Sequence, residues 1–173
     1  MKKYAILIFL AGTILMVYIM NRTGASLKTP ATPLGILNLE FAYDTVKTTV
    51  VMNAWAPASH IDNIAVAKLN TWVDFLFLFF YSFFLFFTCN KIAQAFPGPV
   101  EKAGRLISKA ALLAGFFDIL ENTGMLLTLN GYRSAIIAYF TTVFSVLKFG
   151  LVIIAVLYVL LGLLLWVYHK FKD

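Results

Sequence analysis

Four long apolar stretches constrain the fold of this chain more than any other feature of its sequence. They cover residues 4–20, 72–88, 106–129 and 135–168, and few charged side chains interrupt them. A helix that crosses a lipid bilayer needs about 20 mostly apolar residues. With their flanks added, the stretches predict transmembrane helices at about residues 4–21, 70–90, 105–129 and 135–168. We therefore expect one all-α membrane domain over residues 1–173, built as a four-helix bundle.

The composition of the chain supports a lipid environment. Of its 173 residues, 61% are hydrophobic and 13% are charged, whereas soluble domains have about 45–50% apolar and about 25% charged residues. A soluble domain of this size has too much surface to hide that much apolar side chain. The net charge of +6 is typical of membrane topology signals rather than of a nucleic-acid-binding face. The expected surrounding is membrane lipid, and no nucleic-acid partner is expected.

The first apolar stretch has an alternative interpretation. Lys2 and Lys3 precede it, and Thr23-Gly24-Ala25 follows it, so the segment has the general plan of a cleaved secretory signal peptide. Its apolar run is longer than the usual core of such a peptide. We therefore expect a retained transmembrane helix.

The basic residues predict an orientation. Cytoplasmic loops of membrane proteins carry an excess of lysine and arginine. Eight such residues fall at the two termini and around the loop between the second and third spans, against five on the other side. We expect both termini in the cytoplasm, a plasma (inner) membrane location, and an extracytoplasmic loop at residues 22–69.

This loop has signals for helices. Thr32-Pro33 places a hydroxyl at an N-cap and proline at the first helical position, which predicts a helix from Leu34 to Trp55. Pro57 should end it. Ser59 and Asp62 then have the spacing of a capping box, which predicts a second helix that continues into the second span.

Three charged residues of the loop have two interpretations. If the helix from Leu34 to Trp55 is continuous, Glu40, Asp44 and Lys47 share one of its faces. That face is either solvated, or it lies over the outer end of the bundle and turns Glu40 inward.

Polar side chains inside the apolar stretches are the main functional signal. Ionisable residues at the bilayer centre cost about 2.5–3.5 kcal/mol on insertion scales, so they usually pair in the bundle interior. Asp118, Glu121 and Asn122 share one face of the third helix by their spacing. One face of the fourth helix carries Thr141, Ser145 and Lys148.

The depths of these residues predict a pairing. At a rise of about 1.5 Å per residue, Asp118 lies about 16 Å from the outer end of its helix and Lys148 about 20 Å from that of the next. We expect Asp118 to pair with Lys148. Because one lysine cannot neutralise two carboxylates, Glu121 should point into a cavity that opens outward. Asp74 and Tyr81 of the second span are placed to face the same cavity.

Three functions are compatible with such a cluster. The first is a cavity that binds or transports a small amphipathic or cationic ligand or a proton. The second is an enzyme acting on a lipid or isoprenoid-like substrate, in which Glu121 or Asp118 is the acid–base group. The third is a structural subunit that docks on partner membrane subunits. The candidate ligand-binding residues are Asp118, Glu121, Asn122, Lys148, Asp74, Tyr81, Ser145, Thr141 and Glu40.

Cofactor and metal motifs are absent from the sequence. It has no HExxH, GxSxG, P-loop or dinucleotide fingerprint. The single cysteine, Cys89, excludes an intramolecular disulfide and a cysteine-based zinc site. We therefore expect neither a cofactor nor a metal.

Overall fold

The computed structural model describes residues 3–56 and 61–172, and the secondary structure of these residues is helical. The elements are α1 (Lys3–Thr23), a 3-10 turn (Ala25–Leu27), α2 (Leu37–Glu40), α3 (Thr45–Trp55), α4 (Asn63–Ala95), α5 (Pro99–Leu129) and α6 (Ala135–Lys172). Four of the described helices, α1, α4, α5 and α6, are long and apolar enough to cross a membrane. The predicted all-helical architecture with four such helices is confirmed.

Helix α4 is one uninterrupted helix of 33 residues. It begins after Asp62, whose carboxylate accepts a hydrogen bond from the backbone N–H of Ala65 at 3.0 Å. An aspartate at this position satisfies one of the free N–H groups of the first turn. Asp62 is therefore the N-cap of α4. Ser59 and the predicted helix breaker Pro57 lie outside the described residues.

Helix α4 forms the centre of the bundle. It packs against α1, α5 and α6, and α5 also packs against α6. A short turn joins α5 to α6, and Gly131 in this turn has a φ of +98°, a conformation that favours glycine. Helices α5 and α6 are thus antiparallel neighbours, and this adjacency brings their polar faces together.

The predicted single helix from Leu34 to Trp55 is wrong. The chain forms the short α2, leaves the helical conformation and starts again at α3. Asp44 causes the restart: its backbone is extended, with a φ of −140°, and its carboxylate accepts from the N–H of Lys47 at 2.7 Å. Because α2 and α3 are separate, Glu40 does not share a helical face with Asp44 and Lys47.

Thr32 is not the helix N-cap that the sequence predicted. Its hydroxyl is buried and donates to the carbonyl of Leu27 at 2.7 Å. The indole Nε1 of Trp55 donates to the same carbonyl at 3.0 Å and to the Thr32 hydroxyl at 3.2 Å. A buried backbone carbonyl needs such partners. These contacts join the start of the loop to the end of α3.

The segment between α1 and α4 closes one end of the bundle. It contributes Leu27, Leu39, Val51, Met52 and Trp55 to an apolar cluster with Ala67 of α4 and with Met125 and Leu129 of α5. The amide of Asn70 also donates to the carbonyl of Met20 at 3.0 Å and to the hydroxyl of Thr23 at 2.8 Å. We call this segment, residues 25–56, the cap.

Candidate functional site

Lys148 of α6 lies at the centre of a buried group of carboxylates. Its Nζ is 2.7 Å from Oε2 of Glu121, 3.0 Å from Oδ1 of Asp118 and 3.6 Å from Oε2 of Glu40. All four side chains are buried. The pairing of Asp118 with Lys148 matches the sequence-based expectation. The two further carboxylates at the same ammonium do not.

Two side chains of α4 extend this cluster. The Tyr81 hydroxyl donates to Oδ2 of Asp118 at 2.8 Å. The Asn122 amide donates to Oδ2 of Asp74 at 3.0 Å. Both residues predicted from α4 therefore reach the polar groups of α5. We call the following residues the cluster: Glu40, Asp74, Tyr81, Asp118, Glu121, Asn122 and Lys148.

Glu40 reaches the cluster because α6 holds the end of α2. The backbone carbonyl of Glu40 accepts from the Thr142 hydroxyl at 2.9 Å and from the Ser145 hydroxyl at 3.4 Å. Its side chain is only 6% exposed. Of the two interpretations of Glu40, the inward-turned one agrees with this geometry. Thr142 was not among the predicted residues.

Thr141 and Ser145 have different environments although they share a helix face. Ser145 is fully buried and adjoins Glu40. Thr141 donates to the carbonyl of Ile137 at 2.8 Å, within its own helix. A Cβ placed at Gly124 would collide with the Thr141 hydroxyl. Helices α5 and α6 therefore approach each other closely at Gly124 and Thr141. Thr141 is a packing residue in this arrangement.

A cavity of about 380 Å³ adjoins the cluster. Small-molecule sites typically have volumes of roughly 300–1,000 Å³. One end of the cavity is polar, and its walls there include Glu40, Asp74, Tyr81, Asp118 and Lys148. The rest of the lining is mostly apolar and includes Phe77, Phe84, Leu85, Phe149, Val152 and Val156. The cavity is therefore amphipathic, with its charged groups gathered in one region.

The cavity lies between α1 and α6, on the face of α4. Thr13 and Met20 of α1 line one side, and Val152 and Val156 of α6 line another. Val156 is 39% exposed at the bundle surface. Leu37 and Glu40 of α2 also line the cavity. The lining thus runs from beneath the cap to the apolar flank of the bundle.

A second cavity of about 260 Å³ adjoins the first on the side of the cap. The two cavities share Met20, Ile36, Leu37 and Phe77 in their linings. Its own lining includes Lys28. Leu37 of α2 and its neighbour Ile36 are therefore part of the wall between the two cavities.

Glu121 does not occupy the place that the sequence suggested. It is fully buried against Lys148 and is not among the residues that line the larger cavity. Asp74 and Glu40 take that place instead. The reason is that Lys148 is long enough to reach across Asp118 to Glu121, one helical turn further along α5.

Some buried polar atoms of the cluster accept no hydrogen bond from the described residues. They include Oε2 of Glu40, Oε1 of Glu121 and Oδ1 of Asn122. Buried polar atoms in proteins are nearly always hydrogen-bonded, so such atoms require an explanation. Burial also raises the pKa of the Glu40 carboxyl above its ordinary value of 4.5, although Lys148 acts against this shift.

The charges of the cluster do not balance if every acid is ionised. The cluster then holds four carboxylates, and Lys148 is in ion-pair contact with three of them, Glu40, Asp118 and Glu121. Asp74 is hydrogen-bonded to the Asn122 amide instead. Uncompensated charges in a buried site are costly. Protons or a positively charged ligand must supply the missing compensation.

The described residues contain no group of three or more histidine, cysteine, aspartate or glutamate side chains arranged to hold a metal ion. Comparisons with protein-family models, with curated proteins and with solved structures found no match. The geometry of this site is therefore the basis of the proposed function.

The sequence did not identify the apolar part of the cavity. Its walls come from four helices, and residues such as Leu37, Phe149 and Val152 have no motif that sets them apart from other apolar residues. Only the polar groups carried a signal, through their cost in an apolar segment.

Proposed function

We propose that this chain is a multi-pass membrane protein whose cavity binds a small amphipathic molecule with a basic head group. The observation that carries the proposal is the combination of an acidic cluster and an apolar chamber in one cavity. Glu40, Asp74 and Asp118 line its polar end. A primary or secondary ammonium group is the head group that this end suits best.

The chemistry of the polar end supports a positively charged donor. Oε2 of Glu40 is buried without a hydrogen-bond donor, and Asp74 is paired with an amide rather than with a cation. A ligand ammonium has N–H donors and one positive charge, so it would satisfy both needs. Charge-assisted hydrogen bonds of this kind are stronger than neutral ones.

The apolar walls support a hydrocarbon tail. Phe84, Val152 and Val156 lie along the part of the cavity that is remote from the cap. Burial of apolar surface contributes about 25 cal/mol per Å². We propose that the ligand enters sideways from the lipid, between α1 and α6, because Val156 lies at the bundle surface.

In the proposed topology the protein lies in the plasma membrane. Both of its termini are in the cytoplasm, and the cap is on the outer side. The bias in basic residues supports it. The exposed residues Val46 of α3 and Lys102 of α5 allow a test. With Cys89 replaced by serine, an impermeant maleimide should label Val46→Cys on intact cells and Lys102→Cys only after permeabilisation. The opposite pattern would invert the topology.

A second candidate function is proton-transfer catalysis on a bound lipid or isoprenoid-like molecule. The specific observation in its favour is the hydrogen bond from Tyr81 to Asp118, which itself contacts Lys148. All three side chains line the cavity. A proton donated by the Tyr81 hydroxyl to a substrate could be replaced through this chain of contacts.

Native mass spectrometry of the gently purified protein tests the proposed function. We expect a small adduct whose fragmentation identifies a nitrogen base. Val152→Trp should fill the cavity and abolish the adduct. Val146→Trp is the matched control, because Val146 lies on the same helix but is 57% exposed and outside the cavity lining. An adduct that persists in Val152→Trp, or one that proves to be an acid, would contradict the proposal.

A further inference from the structure

Glu40 and Glu121 come from different parts of the chain and meet at the same ammonium. Their Oε2 atoms lie 3.6 Å and 2.7 Å from Nζ of Lys148. Because both oxygen atoms lie near one nitrogen, the two carboxyl groups are close to each other. Both side chains are buried, at 6% and 0% exposure. Two ionised carboxylates this close would repel each other, and the Lys148 ammonium supplies only one positive charge for both.

The free oxygen atoms of this pair indicate what is missing. Oε2 of Glu40 and Oε1 of Glu121 accept no hydrogen bond from the described residues. A protonated carboxyl group is a hydrogen-bond donor, whereas an ionised one only accepts. One proton placed between the two groups would supply the donor and remove one excess negative charge.

We propose that Glu40 and Glu121 form a proton-binding site, in which the two carboxyl groups share one proton next to the ammonium of Lys148. Paired carboxyl groups that hold one proton between them are known where like charges meet in a confined site. The site joins the cap to the bundle, since Glu40 belongs to α2 and Glu121 to α5.

The ionisable groups around the pair come from three helices. Helix α4 supplies Asp74 and Tyr81, α5 supplies Asp118, and α6 supplies Lys148. Thr13 and Met20, the residues of α1 that line the adjoining cavity, carry no ionisable group. Asp118 is satisfied by Tyr81 and Lys148, and Asp74 has the Asn122 amide. The glutamates are thus the pair whose oxygen atoms still need a donor.

The site has a consequence for ligand binding, and this step rests on the proposed function. Glu40 lines the cavity whereas Glu121 does not. An ammonium group bound at Glu40 would supply the positive charge that the shared proton supplies otherwise. Binding of a basic ligand would then release the proton from the pair.

The composition of the chain allows a selective spectroscopic test. The sequence contains three glutamates, Glu40, Glu101 and Glu121, and Glu101 is paired with Arg105 outside the cluster. In a Glu101→Gln background, carbon-13 labelling of glutamate carboxyl groups makes Glu40 and Glu121 the labelled side chains. Infrared spectra of this protein in nanodiscs, recorded in water and heavy water, would then report their protonation.

We expect, at neutral pH, a labelled carboxylic-acid carbonyl band with the intensity of one group per molecule, shifted in heavy water. Glu40→Gln should abolish it, because Glu121 then keeps only Lys148 as a partner and ionises. The matched variant Asp44→Asn, at a half-buried cap position where asparagine also serves as a helix N-cap, should retain it. No acid band in the labelled protein, a band of two groups, or a band that survives Glu40→Gln would overturn the site.

Addition of dodecylamine separates the site from its linkage to ligand binding. We expect the labelled acid band to disappear at saturating amine. A band that is present with the expected intensity but unchanged by bound amine would overturn the linkage while leaving the proton site standing. If dodecylamine does not bind at all, the proposed function fails and the band without amine still decides the proton site.

Discussion

The ammonium of Lys148 lies closer to Glu121 than to Asp118, at 2.7 Å against 3.0 Å. Lys148 therefore does not form one ion pair, as its depth alone suggested, but joins two carboxylates of α5 and a third from α2. A single cation thus holds the cap, α5 and α6 together at one point.

Loss of Lys148 should destabilise the protein strongly. Removing one partner of a buried ion pair typically costs about 3–5 kcal/mol, because the other charge remains unpaired. We expect Lys148→Met to reduce the free energy of unfolding by about that amount, measured by chemical denaturation in detergent.

The second variant of this series distinguishes a shared cation from a simple pair. Adding Asp118→Asn to Lys148→Met should recover only part of the loss, since Glu121 still lacks its partner. Adding Glu121→Gln as well should recover more. Full recovery with Asp118→Asn alone would show that Glu121 contributes nothing to the pairing.

Trp55 should be important for the cap. Its indole N–H donates to the carbonyl of Leu27 and to the hydroxyl of Thr32, and the side chain is fully buried. Trp55→Phe removes the donor and leaves a gap, which should cost about 1–3 kcal/mol. Hydrogen exchange over residues 25–56 should also become faster.

Trp72→Phe is the control for this prediction. Trp72 is 63% exposed on α4, and exposed substitutions usually change stability by less than about 0.5 kcal/mol. If both variants behave alike, the contacts of Trp55 do not hold the cap in place.

The stability of the protein should fall as the pH rises above 4.5, the ordinary pKa of a glutamate side chain. Burial raises the pKa of Glu40 from 4.5, so the folded state keeps a proton at pH values where the unfolded state has lost it. Stability from this group is present at low pH and is lost with a slope of at most about 1.4 kcal/mol per pH unit. Thermal unfolding across acidic to mildly alkaline pH measures it.

Glu40→Gln removes this titrating group and should flatten the pH profile. Glu101→Gln serves as control, because Glu101 forms a partly exposed pair with Arg105. A profile of equal steepness in the wild type and in Glu40→Gln would contradict the role of Glu40.

The sequence predicted those features that depend on one helix at a time or on simple geometry. Apolar length alone located the four long helices. Helix rise and antiparallel adjacency placed Asp118 beside Lys148, and the same reasoning placed Tyr81 and Asp74 near them. These inferences need no knowledge of how the loop folds.

The cap could not be predicted in this way, because its conformation depends on contacts made with the bundle. Helical spacing from Leu34 to Trp55 favoured one continuous helix, but the capping hydrogen bond of Asp44 starts a new one. Hydroxyl groups of α6 then hold the carbonyl of Glu40. Glu40 reaches Lys148 only because of these contacts with α6. The helical spacing of the sequence therefore could not predict the positions of Glu40 and Glu121.

The central claim is that the cavity recognises a basic amphiphile through its carboxylates. Equilibrium binding of dodecylamine, dodecanol and dodecanoic acid to the protein in zwitterionic nanodiscs tests it most directly, with empty nanodiscs as reference. The three probes share one chain and differ in the head group. We predict saturable binding of the amine, weaker binding of the alcohol and none of the acid. Asp74→Asn should weaken amine binding by about tenfold or more, which corresponds to about 1.4 kcal/mol, and Glu101→Gln should not. Binding of the acid as tight as that of the amine, or amine binding unchanged in Asp74→Asn, would contradict the account.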